Sequence, residues 1–315
     1  MYSLLSFARF GPHRSMLPAQ WRIGKRGKSQ KGRDGLPKRP NNRSNFLIPP
    51  APEMRGYGIG SNGAPQILIR ARDTCRMGVA HRYHGGSHRM PYSHQFVCLA
   101  SSKKPYGRCI AGKLWGGENQ GVWIRPVSNR EHDSISDVER TYANGQTAQV
   151  RDLAAVTFSG LQNHPYQNEN HIIVHPPLWI SQGQLSLAQI ADLEDHPLRL
   201  WESGHHSRCG VNDRVPPESL NLRRESLYLI RPERVSIRVS AESAQWGNHR
   251  LKARAFFIYN QIQYAFSITD EPAEQYFLGL GTGIHHPEGI NYFTVSLGDI
   301  DPHTGYAYKL VAAIL

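Results

Sequence analysis

The sequence predicts a mainly β protein in which two small barrels are joined by a helix-and-loop segment and preceded by a disordered basic extension. From Gln95 onward, short apolar runs alternate with turns rich in Gly, Pro and Asn, which is typical of closely spaced strands. The runs form two sets of about five, each interrupted by one short helical segment, and this fits two closed barrels better than one sandwich. The first 90 residues instead carry 17 Lys and Arg against 3 Asp and Glu, with no regular hydrophobic period.

Residues 1–92 are predicted to be disordered, because so little apolar surface cannot offset the entropy of ordering the chain. Three explanations of this segment stay open: a basic tail that binds phosphates, an arginine-rich targeting segment, or upstream sequence translated before a start at Met90. The net charge of residues 1–90 is +14, so residues 91–315, with 20 basic and 22 acidic side chains, have a net charge of −2. Any nucleic-acid function must therefore depend on a local patch rather than on total charge.

Several classes of protein are disfavoured by composition. The four cysteines form no CxxC pair and predict no disulfide framework. His205, His206 and Cys209 lack a second ligand pair at zinc-finger spacing, so we predict no metal and no cofactor. No apolar run reaches the length of a membrane span, and the N-terminal residues are too quickly interrupted by Arg9 to form a signal peptide. We therefore predict a cytoplasmic protein with no membrane contact.

The first barrel is assigned to residues 93–176. Phe96–Ala100 and Val122–Val127 are apolar and bounded by Gly, Ser and Pro, which indicates buried strands. Arg108–Lys113 alternates cations with small apolar residues, as in a strand with one wet face. The other predicted elements of this barrel are a short serine-capped helix and two further strands, at Ser136–Arg140, Arg151–Leu161 and the end of Asn163–Val174.

A connector over residues 177–224 leads to the second barrel over residues 225–315. Ser186 begins a short helix that ends near Pro197, and a loop of about 20 residues follows from Trp201 to Leu222. Asn260 turns one strand of the second barrel back into the next. The strands predicted there are Ser226–Ile230, Arg234–Ser240, Leu251–Tyr259, Gln261–Thr269, Tyr292–Leu297 and Tyr306–Ile314, with a short helix at Glu271–Phe277.

The opening meander of the first barrel combines cations with aromatic rings. We expect it to project its cations from loop tips and from one sheet face, with Trp115 and Trp123 nearby. Cations bind phosphates and rings stack on bases, which is the combination that single-stranded nucleic acids require. Two alternatives stay open: Trp123 can be a core residue, and the cations can form a solvated edge that discourages aggregation. The cations concerned are Lys103, Lys104, Arg108, Lys113 and Arg125.

A polar loop before residue 174 offers an alternative, catalytic function. If this segment is extended, Glu169 and His171 share one face and can bind a metal or act as an acid/base pair, with Asp152 as a further carboxylate. This predicts a metal-dependent hydrolase of nucleotides or nucleic acids. Histidine-rich loops are also common on surfaces, and no familiar phosphodiesterase arrangement is present.

Two sites near the second barrel also have competing interpretations. Asn212 and Asp213 can bond to their own backbone in a turn, or they can contact a base edge or a ribose hydroxyl between the barrels. Lys309 lies in an apolar strand, where an unpaired charge is costly to bury. It must reach a solvated face, pair with a buried acid, or contact a ligand phosphate.

Several motifs together resemble a known bacterial family. They are CLASSKKPYGRCIAGK, GVWIRPVS, NHPYQNENH, GVNDRV, TVSLG and YAYKLVAAIL. Over about residues 96–315 the chain resembles the dual OB-containing domain family, whose members have two oligonucleotide-binding (OB) barrels. The resemblance does not cover the basic extension. It implies binding of nucleic acid, within bacterial conflict or defence systems, and no agreed enzymatic activity. The residues that it marks are Lys103, Arg108, Lys113, Trp123, Arg125, Asn212, Asp213 and Lys309.

The sequence therefore supports three hypotheses of function. The first is a non-enzymatic module that holds single-stranded nucleic acid or a nucleotide-derived ligand against the cationic face of the first barrel. The second is the metal-dependent hydrolase centred on Glu169 and His171. The third is an adaptor whose barrels bind a protein partner in a defence complex, which fits the nearly neutral charge of residues 91–315.

Overall fold

The computed structural model describes residues 22–23, 90–220, 225–242, 247 and 249–315. The strands are β1 Arg22–Ile23, β2 Tyr92–Lys104, β3 Gly107–Leu114, β4 Trp123–Val127, β5 Asp152–Leu161, β6 Asn170–Ile173, β7 Trp179–Gln184, β8 Arg214–Val215, β9 Leu227–Ile230, β10 Glu233–Ser240, β11 Lys252–Tyr259, β12 Ile262–Ile268, β13 Gly283–His285, β14 Pro287–Glu288, β15 Phe293–Ile300 and β16 Ala307–Ile314. The helices are α1 Leu187–Ala191, α2 Pro217–Leu220 and α3 Glu271–Gly279.

Most of the basic extension lies outside the described residues, so its predicted disorder and the start at Met90 stay predictions. The exception is β1, which pairs antiparallel with β14.

The first sheet closes into a five-stranded barrel. Its strands follow the order β2-β3-β4-β6-β5, and β5 pairs again with β2. The pairing of β4 with β6 is parallel and the other pairings are antiparallel. Along β2, Phe96 and Cys98 point into the barrel, while Val97 and Leu99 face the second barrel. Because both faces of β2 are covered over Phe96–Ala100, this part of the strand is an unbroken apolar run rather than an alternating one.

The second sheet has the same arrangement of strands as the first, except that one strand position is divided between β9 and β10. Strands β10, β11, β12, β16 and β15 are neighbours in that order, and β12 pairs with β16 in parallel. The circle is completed by β9, which pairs with β15 and is separated from β10 by only Arg231 and Pro232. Proline has no N–H to donate, which explains why one bent strand is divided here. The fold is therefore mainly β with two OB-like barrels, as predicted.

Most predicted elements are present within a few residues of their expected bounds. Asn260 and Gln261 have φ of 46° and 65°, as in the tight type I′ turn that joins β11 to β12. The helix predicted at Ser136–Arg140 is wrong, because these residues form turns. Ser136 and Glu139 do exchange capping bonds, but the chain reverses at once and Thr141 pairs with Thr147.

The range assigned to the connector contributes strands to both barrels. Its first strand, β7, lies along β5 of the first barrel, and β8 lies along β16 of the second. Next to β8, Val211 pairs with Ala265 of β12. Residues 211–215 thus fill the gap that opens where β12 and β16 diverge. The boundaries at residues 176 and 225 stay predictions.

An apolar cluster joins the two barrels directly. Val97 and Leu99 of β2 pack with Leu227 and Leu229 of β9 and with Ala313 of β16. A hydrogen bond from the Thr294 hydroxyl to the Leu99 carbonyl crosses the same interface at 2.6 Å. None of the helices in the described ranges is long and apolar enough to cross a membrane.

Candidate functional site

The structure separates the predicted cations into two groups. Lys103, Lys104 and Arg108 flank the turn between β2 and β3, and their side chains are partly exposed. The Lys113 and Arg125 side chains are only 3% and 4% exposed. The expectation that the cations project from loop tips and one sheet face is therefore wrong for Lys113 and Arg125, whose side chains are buried.

Lys113 and Trp123 join the first barrel to the connector. The Lys113 Nζ lies 2.6 Å from Asp195 Oδ1 and 2.6 Å from the Leu193 carbonyl oxygen, to which it donates, and 5.1 Å from the centre of the Trp123 ring. The Trp123 Nε1 donates to the other oxygen of Asp195 at 3.0 Å, and the Leu229 amide donates to the same oxygen at 2.8 Å. Burial lowers the pKa of Lys113, while the Asp195 carboxylate opposes this effect. A direct ligand contact by these residues stays a prediction.

Arg125 forms a buried ion pair between the barrels. Its Nη2 lies 2.8 Å from Glu169 Oε1 and donates to the Ser226 hydroxyl at 2.7 Å. The Ser226 hydroxyl also donates to Glu169. Because Ser226 lies directly before β9, these contacts tie β4 and the start of β6 to the second barrel.

Asp213 and Lys309 are buried within the second barrel. Asp213 accepts from Arg254 Nη1 at 3.1 Å and from the Ser207 amide at 2.6 Å. Lys309 donates from Nζ to the Glu202 carbonyl oxygen and lies 5.8 Å from the centre of the Tyr264 ring. The Lys309 amide also donates to the Asp213 carbonyl oxygen at 2.9 Å, which holds residues 211–215 against β16.

Asn212 holds the same loop from its surface. Its Nδ2 donates to the Gln263 carbonyl oxygen at 2.9 Å, and its Oδ1 accepts from the Gly204 amide at 2.7 Å. Ligand contacts by Asn212, Asp213 and Lys309 stay predictions.

The residues of the hydrolase hypothesis have separate partners. Glu169 is bound to Arg125, whereas His171 Nδ1 lies 2.8 Å from the Tyr92 hydroxyl. Asp152 instead accepts from the Tyr142 hydroxyl at 3.2 Å. Burial, and secondarily the neighbouring His94, lowers the pKa of His171 to about 4, so its ring is neutral at neutral pH. Within the described ranges, no group of three or more His, Cys, Asp or Glu residues could hold a metal ion.

The turn between β2 and β3 borders a recess of about 380 Å³. This end of the hairpin, residues 103–108, is called the hairpin tip below. The recess is lined by the side chains of the hairpin tip and by residues from two neighbouring segments. The lining residues are Lys103, Lys104, Tyr106, Gly107, Arg108, Ser136, Asp137 and Glu271.

Tyr106 is the most unusual residue of the hairpin tip. It is 72% exposed, and its φ of 61° lies in the left-handed region, which costs an L-residue on the order of 1 kcal/mol. Its ring stacks on the His132 ring with centroids 5.4 Å apart and planes inclined by 14°. Arg130 Nη2 donates to the Tyr106 carbonyl oxygen at 2.8 Å. Neither ring was predicted from the sequence to belong to a site, although a tyrosine directly after Pro105, where such turns favour glycine, is a signal that the sequence contains.

Each cation of the hairpin tip also faces a carboxylate of the second barrel. Lys103 pairs with Glu274 at 3.4 Å, Lys104 pairs with Asp299 at 3.4 Å, and Arg108 pairs with Glu271. The recess therefore combines cations, carboxylates and one exposed aromatic face.

Comparison with known protein families gives a match over most of the described residues. A family described as Dual OB-containing domain matches residues 94–314, which span both barrels and the connector and leave out the basic extension. No curated protein and no solved structure matches the chain.

Proposed function

Since the chain belongs to the Dual OB-containing domain family and OB barrels commonly bind oligonucleotides, we propose that it binds single-stranded nucleic acid or a nucleotide-derived ligand at the hairpin tip. We also propose that it acts in the cytoplasm, as its composition predicts, and in a bacterial defence system, as the sequence resemblance implies. Lys103, Lys104 and Arg108 contact phosphates, and a base stacks on Tyr106. Lys113, Trp123 and Arg125 hold the barrel in place.

The observation that carries this proposal is the exposed stack of Tyr106 on His132. A large ring in solvent at a left-handed backbone position costs stability without filling a core. One face of the Tyr106 ring is covered by His132, which fixes its orientation and leaves the other face available. A base can stack on a fixed ring with little further loss of side-chain entropy, and each stacked base contributes about 1–3 kcal/mol.

The cations around this ring supply the second part of the proposal. Lys103, Lys104 and Arg108 line the same recess as Tyr106. Phosphate contacts release counterions, so the affinity should fall as salt rises. A stacked base must be unpaired, which favours a single strand over a duplex.

The test is fluorescence anisotropy with labelled single-stranded DNA and RNA at low and moderate salt. It is run on the full chain and on a chain that begins at Met90, because the extension carries a charge of +14 and binds polyanions itself. The double change Lys103→Ala with Arg108→Ala should weaken binding and lower the salt slope by about 1 for each phosphate that the protein no longer neutralises. Lys252→Ala, which removes an exposed cation from β11 of the second barrel, is the matched control.

A second pair of variants tests the ring. Tyr106→Gly removes it at a backbone position that glycine adopts freely, and we expect about 5-fold or greater loss of affinity because a base can no longer stack there. Tyr106→Phe keeps the ring and should bind like the wild type. If Tyr106→Gly binds as tightly as the wild type in the chain that begins at Met90, the hairpin tip is not the binding site.

A further inference from the structure

The three cations of the hairpin tip are all engaged by one neighbour, the second barrel. Glu271 and Glu274 come from the first turn of α3, and Asp299 comes from β15. The three cations of the hairpin tip and these three carboxylates together carry no net charge. A ligand phosphate that approaches these cations therefore meets carboxylates already in place.

Main-chain bonds fix the hairpin against the second barrel. The Lys103 amide donates to the Thr269 carbonyl oxygen at 2.8 Å, and Ser102 forms a bridge with Asp270 directly before α3. The backbones on the two sides of the recess are thus held together. Only the side chains can exchange partners.

The ion pairs themselves are weak enough to exchange. The Lys103 side chain is 46% exposed and that of Asp299 is 59% exposed, so solvent screens both pairs. In the pair between Arg108 and Glu271, neither side chain is more than 28% exposed. Acids in the first turn of a helix are also favoured by its dipole, which gives Glu271 and Glu274 a structural role. That role does not explain Asp299, which lies in a strand.

We propose that Glu271, Glu274 and Asp299 compete with ligand phosphates for the cations of the hairpin tip, so that the second barrel sets the affinity of the first. This inference rests on the proposed function. Isolated phosphates do not displace the carboxylates, whereas a strand with several neighbouring phosphates exchanges two or three pairs at once. The ligand is therefore an oligonucleotide rather than a free mononucleotide.

The experiment compares full-length variants with labelled single-stranded DNA, at the salt concentration that best separates the wild type from the Lys103→Ala, Arg108→Ala double variant. Glu271→Gln and Asp299→Asn should each tighten binding about 1.5- to 5-fold, the range expected for one partly exposed ion pair. The double change Glu271→Gln with Glu274→Gln should tighten it more than either single change. Free mononucleotide serves as a competitor and should not displace the strand.

The matched control is Glu218→Gln, which removes the same charge from the first turn of α2, where Glu218 is exposed. It should leave binding unchanged. If the changes of Glu271 and Glu274 destabilise α3, Asp299→Asn still tests the competition, because Asp299 lies in β15 and does not stabilise a helix.

The outcomes separate this inference from the proposed function. If the Lys103→Ala, Arg108→Ala variant binds less tightly but the Gln and Asn variants bind like the wild type, the competition is refuted and the binding site stands. Equal tightening in Glu218→Gln would also refute it, because total charge would then be the cause. If the Lys103→Ala, Arg108→Ala variant binds like the wild type at every salt concentration, both in the full chain and in the chain that begins at Met90, both proposals are refuted.

Discussion

Replacing Arg125 by alanine removes one half of the buried ion pair between the barrels. Glu169 would then keep the Ser226 hydroxyl as a partner but lose the cation, while its side chain is 6% exposed. Removing one member of a buried pair typically costs 3–5 kcal/mol, because the other charge stays buried without compensation. For a protein of this size, 1 kcal/mol corresponds to a shift in Tm of about 2–4 °C, so we expect a decrease of roughly 6–20 °C.

The assay is thermal and urea unfolding of the Arg125→Ala variant, with Arg130→Ala as the matched control. Arg130 pairs with Glu139, but the Arg130 side chain is 39% exposed, and Glu139 would keep its bonds from the Ser128 hydroxyl and from the Ser136 amide and hydroxyl. Removing Arg130 should therefore cost at most about 1 kcal/mol. The double variant Arg125→Met with Glu169→Met should recover much of the loss, because it leaves no buried charge.

A particular result would contradict this reasoning. If Arg125→Ala unfolds like the wild type and yet binds nucleic acid less tightly, the guanidinium contacts ligand rather than Glu169. Ligand contact by Arg125 is the role predicted from the sequence, and this experiment decides between it and the structural role.

Two further predictions concern the first barrel. Because the pKa of His171 is about 4 when folded and about 6.5 when unfolded, the unfolded chain binds an extra proton between these values. The free energy of unfolding should therefore decrease as the pH falls from 6.5 toward 4. After a discount for the partial exposure of His171, we expect a decrease of about 1 kcal/mol between pH 7 and pH 5. Urea unfolding should show a loss about 1 kcal/mol smaller in His171→Phe than in the wild type, since His94 and His164, whose pKa values are also lowered by burial, still contribute; the same loss in both would contradict it. For Gly112→Ala, the new Cβ would lie 1.9 Å from the Val97 carbonyl oxygen, so we expect a cost of at least about 1–3 kcal/mol. Gly160→Ala in β5 meets no atom within 4 Å and is its control; equal effects on Tm would refute the reasoning.

The sequence was informative about strands because burial leaves a local pattern. Phe96–Ala100 is apolar at every position, and the structure covers it on both faces. Coverage of both sheet faces also explains why Lys113 and Arg125 are buried although they were predicted to be exposed. Alternation along a strand separates two faces, but it cannot show that both are buried when the second is covered by another barrel. The partners of Lys113 and Arg125 lie 82 and 101 residues away in Asp195 and Ser226, beyond the reach of any local pattern.

The hairpin tip could be predicted only in part. Its cations were identified from their density along the chain, while Tyr106 and His132 were passed over because they are 26 positions apart and neither lies in a recognisable motif. Their stacking depends on two left-handed backbone positions, with φ of 61° and 64°. The cross-barrel ion pairs were equally hidden, since they depend on how α3 and β15 dock against β2.

The gap between β12 and β16 affects how the chain can be dissected. Residues 211–215 bond to both of these strands, through Val211 on one side and through Arg214 and Val215 on the other. A fragment that begins at residue 225 would lack them and would expose unpaired strand edges, which promote aggregation. The number of strands after residue 225 suggests a barrel that could be moved to another protein by itself. It could not, because residues 211–215, which precede β9 in the chain, form part of its wall.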